Sequence, residues 1–251
     1  MLDESDLFDE EKIILQTDLG RLVIKGKSMN ITNLDVEHGN IQIDGNEGNT
    51  FYLSPEQRDS ENWWFYWAFC VEGAAGEALN FHLDREWVGP YGAAVSHDLI
   101  NWHWSESSLD GASFSYTFAP DEDRVYFAHD LLFTPSRLCS LLNELKITPF
   151  TVCRTLRGRD VPAFKIGNGS KNIILSSRHH ACESPGSYVL EGMIREYIKN
   201  PIPDTNLFVL PIVDFDGVTE GEQGKDRDPH DHNRDYIEGN IYPEVGAIID
   251  Y

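Results

Sequence analysis

The residues best placed for chemistry lie in the segment Arg178-His179-His180-Ala181-Cys182-Glu183. His180 and Glu183 stand three apart, on a connection between an apolar run, Asn172–Ser176, and a helix opening at Ser184 and Pro185. An imidazole and a carboxylate at that spacing, where the chain bends, can converge on one metal, and zinc takes both ligand types. The same spacing suits polar surface residues flanking a helix cap, so the motif alone leaves both readings open. A second polar cluster follows the apolar run Leu207–Val213. It begins at Asp214-Phe215-Asp216-Gly217, where Asp-Gly signals a turn, and continues through a polar loop to Asp231-His232-Asn233-Arg234. The planar fork of Arg234 beside the amide of Asn233 suits a carboxylate ligand. The alternative is a solvated acidic loop that happens to contain an arginine.

The elements that must position these residues divide into two patterns. Up to about Phe133, short runs rich in β-branched and aromatic residues alternate with turn residues, which predicts a β-sandwich. Ile13–Leu15, Arg21–Ile24, Ile41–Ile43, Thr50–Leu53, Leu79–Leu83, Ser113–Phe118 and Val125–His129 read as strands, and Trp63–Val71 is apolar on both faces. Turns are expected at Asp44-Gly45-Asn46, Gly73–Gly76 and Pro120-Asp121. From Thr134 the period changes. Leu138, Leu141, Leu142 and Leu145 share one face of a helix over Thr134–Leu145. Strands Phe150–Arg154, Ala163–Ile166, Asn172–Ser176 and Leu207–Val213 then alternate with a helix capped by Ser184, and Tyr242-Pro243-Glu244 opens a last helix in which the chain ends. The expected fold class is α+β with two domains: an acidic tail and accessory strands at 1–30, an antiparallel β-sandwich at 31–145, and the N-terminal part of an α/β domain at 146–251.

The net charge of −22 over 251 residues argues against nucleic acid or an anionic membrane as partner. It accords with solubility, or with attraction for basic substrates. No apolar run reaches the length of a membrane span, and residues 1–11 have neither the basic nor the apolar region of a signal peptide. Cys70, Cys139, Cys153 and Cys182 form no CxxC pair, so reduced thiols in the cytoplasm are expected.

In order and spacing, these stretches resemble the zinc metallocarboxypeptidases of the M14 family, in their cytosolic-carboxypeptidase-like subgroup. There a buried strand leads to His-x-x-Glu and a helix, then a strand ends in Asn-Pro-Asp-Gly-Val, followed by Asp-x-Asn-Arg. This chain has Asp214-Phe215 in place of Asn-Pro. Upstream, Asn62–Trp67, Gly89-Pro90-Tyr91-Gly92, Val95-Ser96-His97-Asp98, Arg124–Ala128 and Leu156–Pro162 are similar to the sandwich and domain start of that subgroup. The similarity runs from about Ile31 to Tyr251. It implies a zinc-dependent carboxypeptidase acting on the C-terminus of a peptide or protein, through a peptide or isopeptide bond. His180 and Glu183 are implied as zinc ligands, Asn233 and Arg234 as the clamp on the terminal carboxylate, and Arg227 as the arginine that polarises the scissile carbonyl. His179 matches no ligand. The family's third ligand, a His, and its general base, a Glu, lie further downstream, so the chain is expected to be a truncated and inactive fragment unless His230 or His232 substitutes. Two other functions are consistent with these residues: a zinc amidohydrolase acting on acylated amino acids, and a non-catalytic sandwich that binds.

Overall fold

The structure is a computed structural model that describes residues 29–33, 36–105, 108 and 110–251, and the backbone of 12–17 and 20–25. The rest of the acidic tail expected at 1–30 lies outside the described residues. Strands β1 (Lys12–Thr17) and β2 (Gly20–Lys25) pair as an antiparallel hairpin.

Residues 30–128 build two facing sheets. The strands are β3 (Asn30–Thr32), β4 (Gln42–Glu47), β5 (Thr50–Ser54), β6 (Ala68–Glu72), β7 (Ala78–Leu83), β8 (Ala94–Ser96), β9 (Trp102–Trp104), β10 (Ser113–Thr117) and β11 (Arg124–Ala128). One sheet runs β10-β7-β5-β4 and the other β3-β6-β11-β8-β9. Alternation fixes which face is inside. Leu79, Phe81 and Leu83 of β7 are buried, while Ala78 and Asn80 are exposed and His82 is half-buried. Phe81 packs on Phe114, Phe69 and Phe127 with ring centroids 4.8–5.4 Å apart, and Trp67 closes the cluster. The sandwich departs from the antiparallel expectation at one pair, β5 with β7, which is parallel. The turn expected at Asp44-Gly45-Asn46 is absent: a bulge leaves Asp44 unpaired between Ile43 and Gly45, and the strand continues to Glu47, with the turn at Gly48, whose φ is 56°. The double-sided apolar character around Trp63–Val71 has a structural cause. Phe69 and Val71 face the sandwich core, while Ala68, with Tyr66 and Ala128, packs against Cys182 of the second unit.

The second unit is a sheet of order β12-β13-β15-β14, formed by β12 (Phe150–Arg154), β13 (Asp160–Gly167), β14 (Lys171–Ser176) and β15 (Thr205–Leu210). β14 and β15 are parallel, connected by helix α2 (Pro185–Lys199). Helix α1 (Pro135–Leu145) is capped by Thr134, whose hydroxyl accepts from Arg137 N. Although the sequence groups α1 with the sandwich, its buried Leu138, Leu141 and Leu142 pack with Leu190, Ile194 and Val209 of the second core. Two further expectations are corrected. Ser184 stands in the right-handed helical region and makes no capping bond, so α2 begins at Pro185 without a side-chain cap. After β15 the chain makes a short helix, α3 (Phe215–Glu220), instead of a turn at Asp216-Gly217, because the Asp214 carboxylate accepts from Gly217 N at 2.9 Å. Helix α4 (Pro243–Ile249) ends before Asp250 and Tyr251. Among the described residues no helix is long and apolar enough to cross a membrane.

Candidate active site

The parallel pair β14 and β15 delivers the two polar segments side by side at its carboxyl end, where open α/β sheets bind ligands. Pairing continues past the strands: Val213 N donates to Ser177 O at 3.0 Å and Asp214 N to Arg178 O at 2.8 Å. Arg178 then takes a left-handed conformation, with φ of 59°, and turns the chain. Its buried guanidinium donates to the carbonyls of Ala181 and Phe133 and lies 3.0 Å from His38 Nε2, tying the turn to the sandwich.

This turn brings His180 and Glu183 together, with Nδ1 3.2 Å from Oε1. His180 Nε2 lies 3.4 Å from Asp231 Oδ2, which connects the first polar segment to the second. Lys225 Nζ sits 2.7 Å from Glu183 Oε1 and over the indole of Trp64, 5.4 Å from its centroid. Burial pushes the Glu183 carboxyl up, but Lys225 and His180 outweigh it and hold the group below its ordinary range. His179 bonds the Tyr236 hydroxyl at 2.7 Å, and burial, with His180 next to it, lowers its basicity.

These residues open on a cavity of about 660 Å³. His179, His180, Glu183 and Asn233 all line it. Arg234 is exposed on the same short turn, His232–Arg234, with Nη1 3.4 Å from the Asn233 carbonyl, but is not part of the cavity wall. Arg227 is placed differently from the expectation. Its guanidinium is committed to three carboxylates: Nε to Asp59 at 2.9 Å, Nη1 to Asp214 at 2.9 Å and Nη2 to Glu222 at 2.7 Å. Burial works against this charge, yet Asp214, Asp59 and Glu222 keep it firmly protonated. A cation so held organises the loop and does not face the cavity. His230 and His232 also point elsewhere. His230 pairs with Asp235 at 2.6 Å, and His232 is buried with its ring stacked 3.7 Å from that of Tyr242.

Zinc is the group this chemistry implies. His180 and Glu183 fit as part of its ligand set, since an imidazole nitrogen and a carboxylate oxygen already converge on one side of the cavity. Among the described residues no group of three His, Cys, Asp or Glu could hold a metal ion. The sequence reading missed one wall altogether. Phe65, His129 and Asp130 come from the sandwich, yet they line the same cavity. The signal was a His-Asp pair at the end of an apolar strand, which is legible only when the strand is known to end at the site.

Known proteins resemble the chain in sequence and in fold. Residues 32–129 match the family profile of the cytosolic carboxypeptidase N-terminal domain. The profile of the YabP family matches residues 4–59, and its overlap with the first falls on sandwich strands β4 and β5. The chain has the fold of solved metallo-carboxypeptidases, and its residues 32–129 are similar to the cytosolic carboxypeptidase N-terminal domain. Among relatives, it is 30% identical to human cytosolic carboxypeptidase 2 over 148 residues, covering 49% of this chain and 16% of that protein. It is 28% identical to the Xenopus tropicalis protein of that name over 170 residues, covering 55% and 17%. The chain thus spans less than a fifth of these curated relatives. A metallo-carboxypeptidase from Burkholderia cenocepacia superposes with a TM-score of 0.73 at 18% identity, over 89% of this chain and 67% of the other. One from Pseudomonas aeruginosa gives 0.71 at 22%, over 88% and 65%.

Proposed function

We propose that this chain forms the substrate-holding part of a zinc-dependent carboxypeptidase that hydrolyses C-terminal peptide or isopeptide bonds in the cytoplasm. The observation that carries the reading is the convergence of His180 and Glu183, 3.2 Å apart, on a cavity that Asn233 also lines. When bound, zinc supplies a Lewis acid for the scissile carbonyl and an acidified water. The residues here do the rest of the holding. Asn233 and Arg234 offer amide and guanidinium donors for the free carboxylate of the substrate, which fixes the last residue and places its peptide bond toward His180. Lys225 keeps Glu183 ionised, the state a metal ligand needs. The third ligand and the general base would come from residues beyond this segment. With two protein ligands, this chain alone holds zinc weakly and turns over no peptide.

Zinc content and hydrolysis of a peptide panel test this, measured on the 251-residue chain and on a chain extended to a third ligand and an acidic base. The extended chain should carry one zinc and cleave; His180→Ala and Glu183→Gln in it should lose the metal. Stoichiometric zinc with turnover in the 251-residue chain, or cleavage of N-acyl amino acids in preference to peptides, would overturn the reading.

A further inference from the structure

The sheet β10-β7-β5-β4 carries a groove of about 390 Å³ on its outer face, away from the sandwich core. Strand register sets its side chains in two rows. Ser113, His82 and Tyr52 stand opposite one another across three strands, and Ser115, Asn80 and Thr50 do the same two positions along. None of the six is acidic or basic in the sense of Asp, Glu, Lys or Arg, although the chain has 42 acidic and 20 basic residues. The groove is thus a neutral polar strip on a strongly charged protein. Its hydrogen bonds decide what each group still offers. Asp110, at the rim, accepts from the Ser113 hydroxyl at 2.9 Å. Ser113 has only lone pairs left for His82 Nδ1, 2.6 Å away, so in the neutral ring Nδ1 carries the hydrogen and Nε2 is left to accept. The Ser115 hydroxyl donates to Asn80 Oδ1 at 2.7 Å, and Asn80 Nδ2 donates to Thr50 Oγ1 at 3.5 Å. Ser115 is then left to accept and Thr50 to donate, while the Tyr52 hydroxyl can do either. The Tyr52 ring is exposed, with His82 braced against it at 76° and 5.8 Å between centroids. Gly45 stands opposite Tyr52 on β4, and a Cβ there would meet nothing within 4 Å, so the space beside the ring is open.

An open aromatic ring beside interleaved donors and acceptors, without charge, suits a molecule dense in hydroxyls. Each sugar hydroxyl both donates and accepts, and the C–H face of a pyranose packs on an aromatic ring. Opposed residues on neighbouring strands stand about 5 Å apart, close to the length of one pyranose ring. We propose that this face of the sandwich binds a neutral oligosaccharide, lying across β10, β7 and β5 with one sugar ring packed on Tyr52. A charged polymer would find no counter-charge in the groove, and a second copy of the chain would find little apolar area to bury. The inference is independent of the carboxypeptidase reading, since the groove shares no residue with the cavity at His180.

Affinity electrophoresis of the 251-residue chain tests this, in native gels cast with soluble starch, hydroxyethylcellulose, galactomannan or the anionic polygalacturonate. At least one of the three neutral polymers should retard the chain, and polygalacturonate should not. Tyr52→Ala and Asn80→Ala should each weaken the retarding interaction about tenfold, the size of one lost aromatic or hydrogen-bond contact. Thr117→Ala, on the same face but outside the groove, should leave it unchanged. Retardation by none of the neutral polymers overturns the proposal, as does retardation of parental strength in both Tyr52→Ala and Asn80→Ala. Polygalacturonate retarding the chain as strongly as the neutral polymers overturns it too. Light scattering covers the remaining occupant: a dimer that Tyr52→Ala dissolves assigns the face to a second copy, against the proposal. Melting temperatures check that the variants fold. Both substituted side chains are exposed, and if Tyr52→Ala is unfolded, Asn80→Ala decides alone.

Discussion

Gln223 pairs with the backbone of Tyr66 at two points: its Oε1 accepts from Tyr66 N at 3.1 Å and its Nε2 donates to Tyr66 O at 3.0 Å. The two residues belong to different units, and the contact is surrounded by others like it. Asp59 accepts from Gln223 N and Gly224 N, and Asn40 donates to Gly221 O at 2.7 Å. The loop that carries Lys225 is therefore held by the sandwich.

Replacing Gln223 by Leu should uncouple the units. It leaves the N–H and C=O of Tyr66 buried without partners, at about 1–3 kcal/mol for each. All six tryptophans lie between Trp63 and Trp104, so their fluorescence reports on the sandwich and, through Trp64 beneath Lys225, on its junction with the second unit, while far-UV dichroism is dominated by the helices of the second unit. Urea unfolding of the unaltered chain should give coincident curves by the two probes. In the variant they should separate, and coincidence there would show that the interface does not couple the units.

Arg227 should behave as a structural cation. Arg227→Met strands Asp59, Asp214 and Glu222 around an empty centre, and breaking a buried pair of this kind costs about 3–5 kcal/mol. Arg227→Lys should rescue little, because a single ammonium cannot meet three carboxylates in one plane. Thermal melts decide it: a variant as stable as the parent returns Arg227 to the list of residues free to face substrate.

Two buried groups should shape the response to pH. Glu244, raised from 4.5 to about 7 by burial and then by Asp214 and Asp216, stays protonated in the fold after the unfolded chain has ionised. It therefore weakens the fold as pH rises from 4.5 to 7. Burial lowers His232 from 6.5 to about 4 against the pull of Asp214, so the unfolded chain protonates first and the fold weakens as pH falls from 6.5 to 4. The groups lie 3.9 Å apart, and between pH 4.5 and 6.5 their effects oppose. Glu244→Gln removes one side. Its stability should fall on acidification through that window more steeply than the parent's, by up to about 1.4 kcal/mol per pH unit. Urea midpoints at pH 4.5, 5.5 and 6.5 measure this, and parallel profiles for parent and variant would refute it.

A Cβ at Gly224, where φ is 76°, would run into Ala181 N and the Asp214 carboxylate. Gly224→Ala should wedge the loop away from the His180 turn as well as strain its backbone. The expected result is a lower melting temperature together with loss of affinity for N-acetyl-glycyl-norleucine, a peptide with a free carboxylate. Retention of both would mean that the loop can move without disturbing the turn.

Most strands, and three of the helices, were legible because their periods are set by local sequence: Leu79, Phe81 and Leu83 alternate, and Leu138, Leu141 and Leu142 repeat at helical spacing. The pairing of β5 with β7 was not, since parallel and antiparallel neighbours bury the same face. The meeting of His180, Glu183 and Asn233 followed from motif order. The fate of Arg227 did not, because it is decided by Asp59, 168 positions away in sequence. His129 and Asp130 escaped notice for the same reason: nothing local says that the end of β11 opens on a cavity.

The contacts that hold the Lys225 loop have a consequence for biosynthesis. Asn40, Asp59 and Tyr66 find their partners 157 to 181 residues later in the chain. At about 5–20 residues per second, a ribosome leaves them waiting for roughly ten to thirty seconds. Throughout that interval the underside of the sandwich offers water unpaired amides and the apolar patch of Tyr66, Ala68 and Ala128. Synthesis rate and chaperone supply, more than the final stability, should then govern how much of this protein reaches its native state.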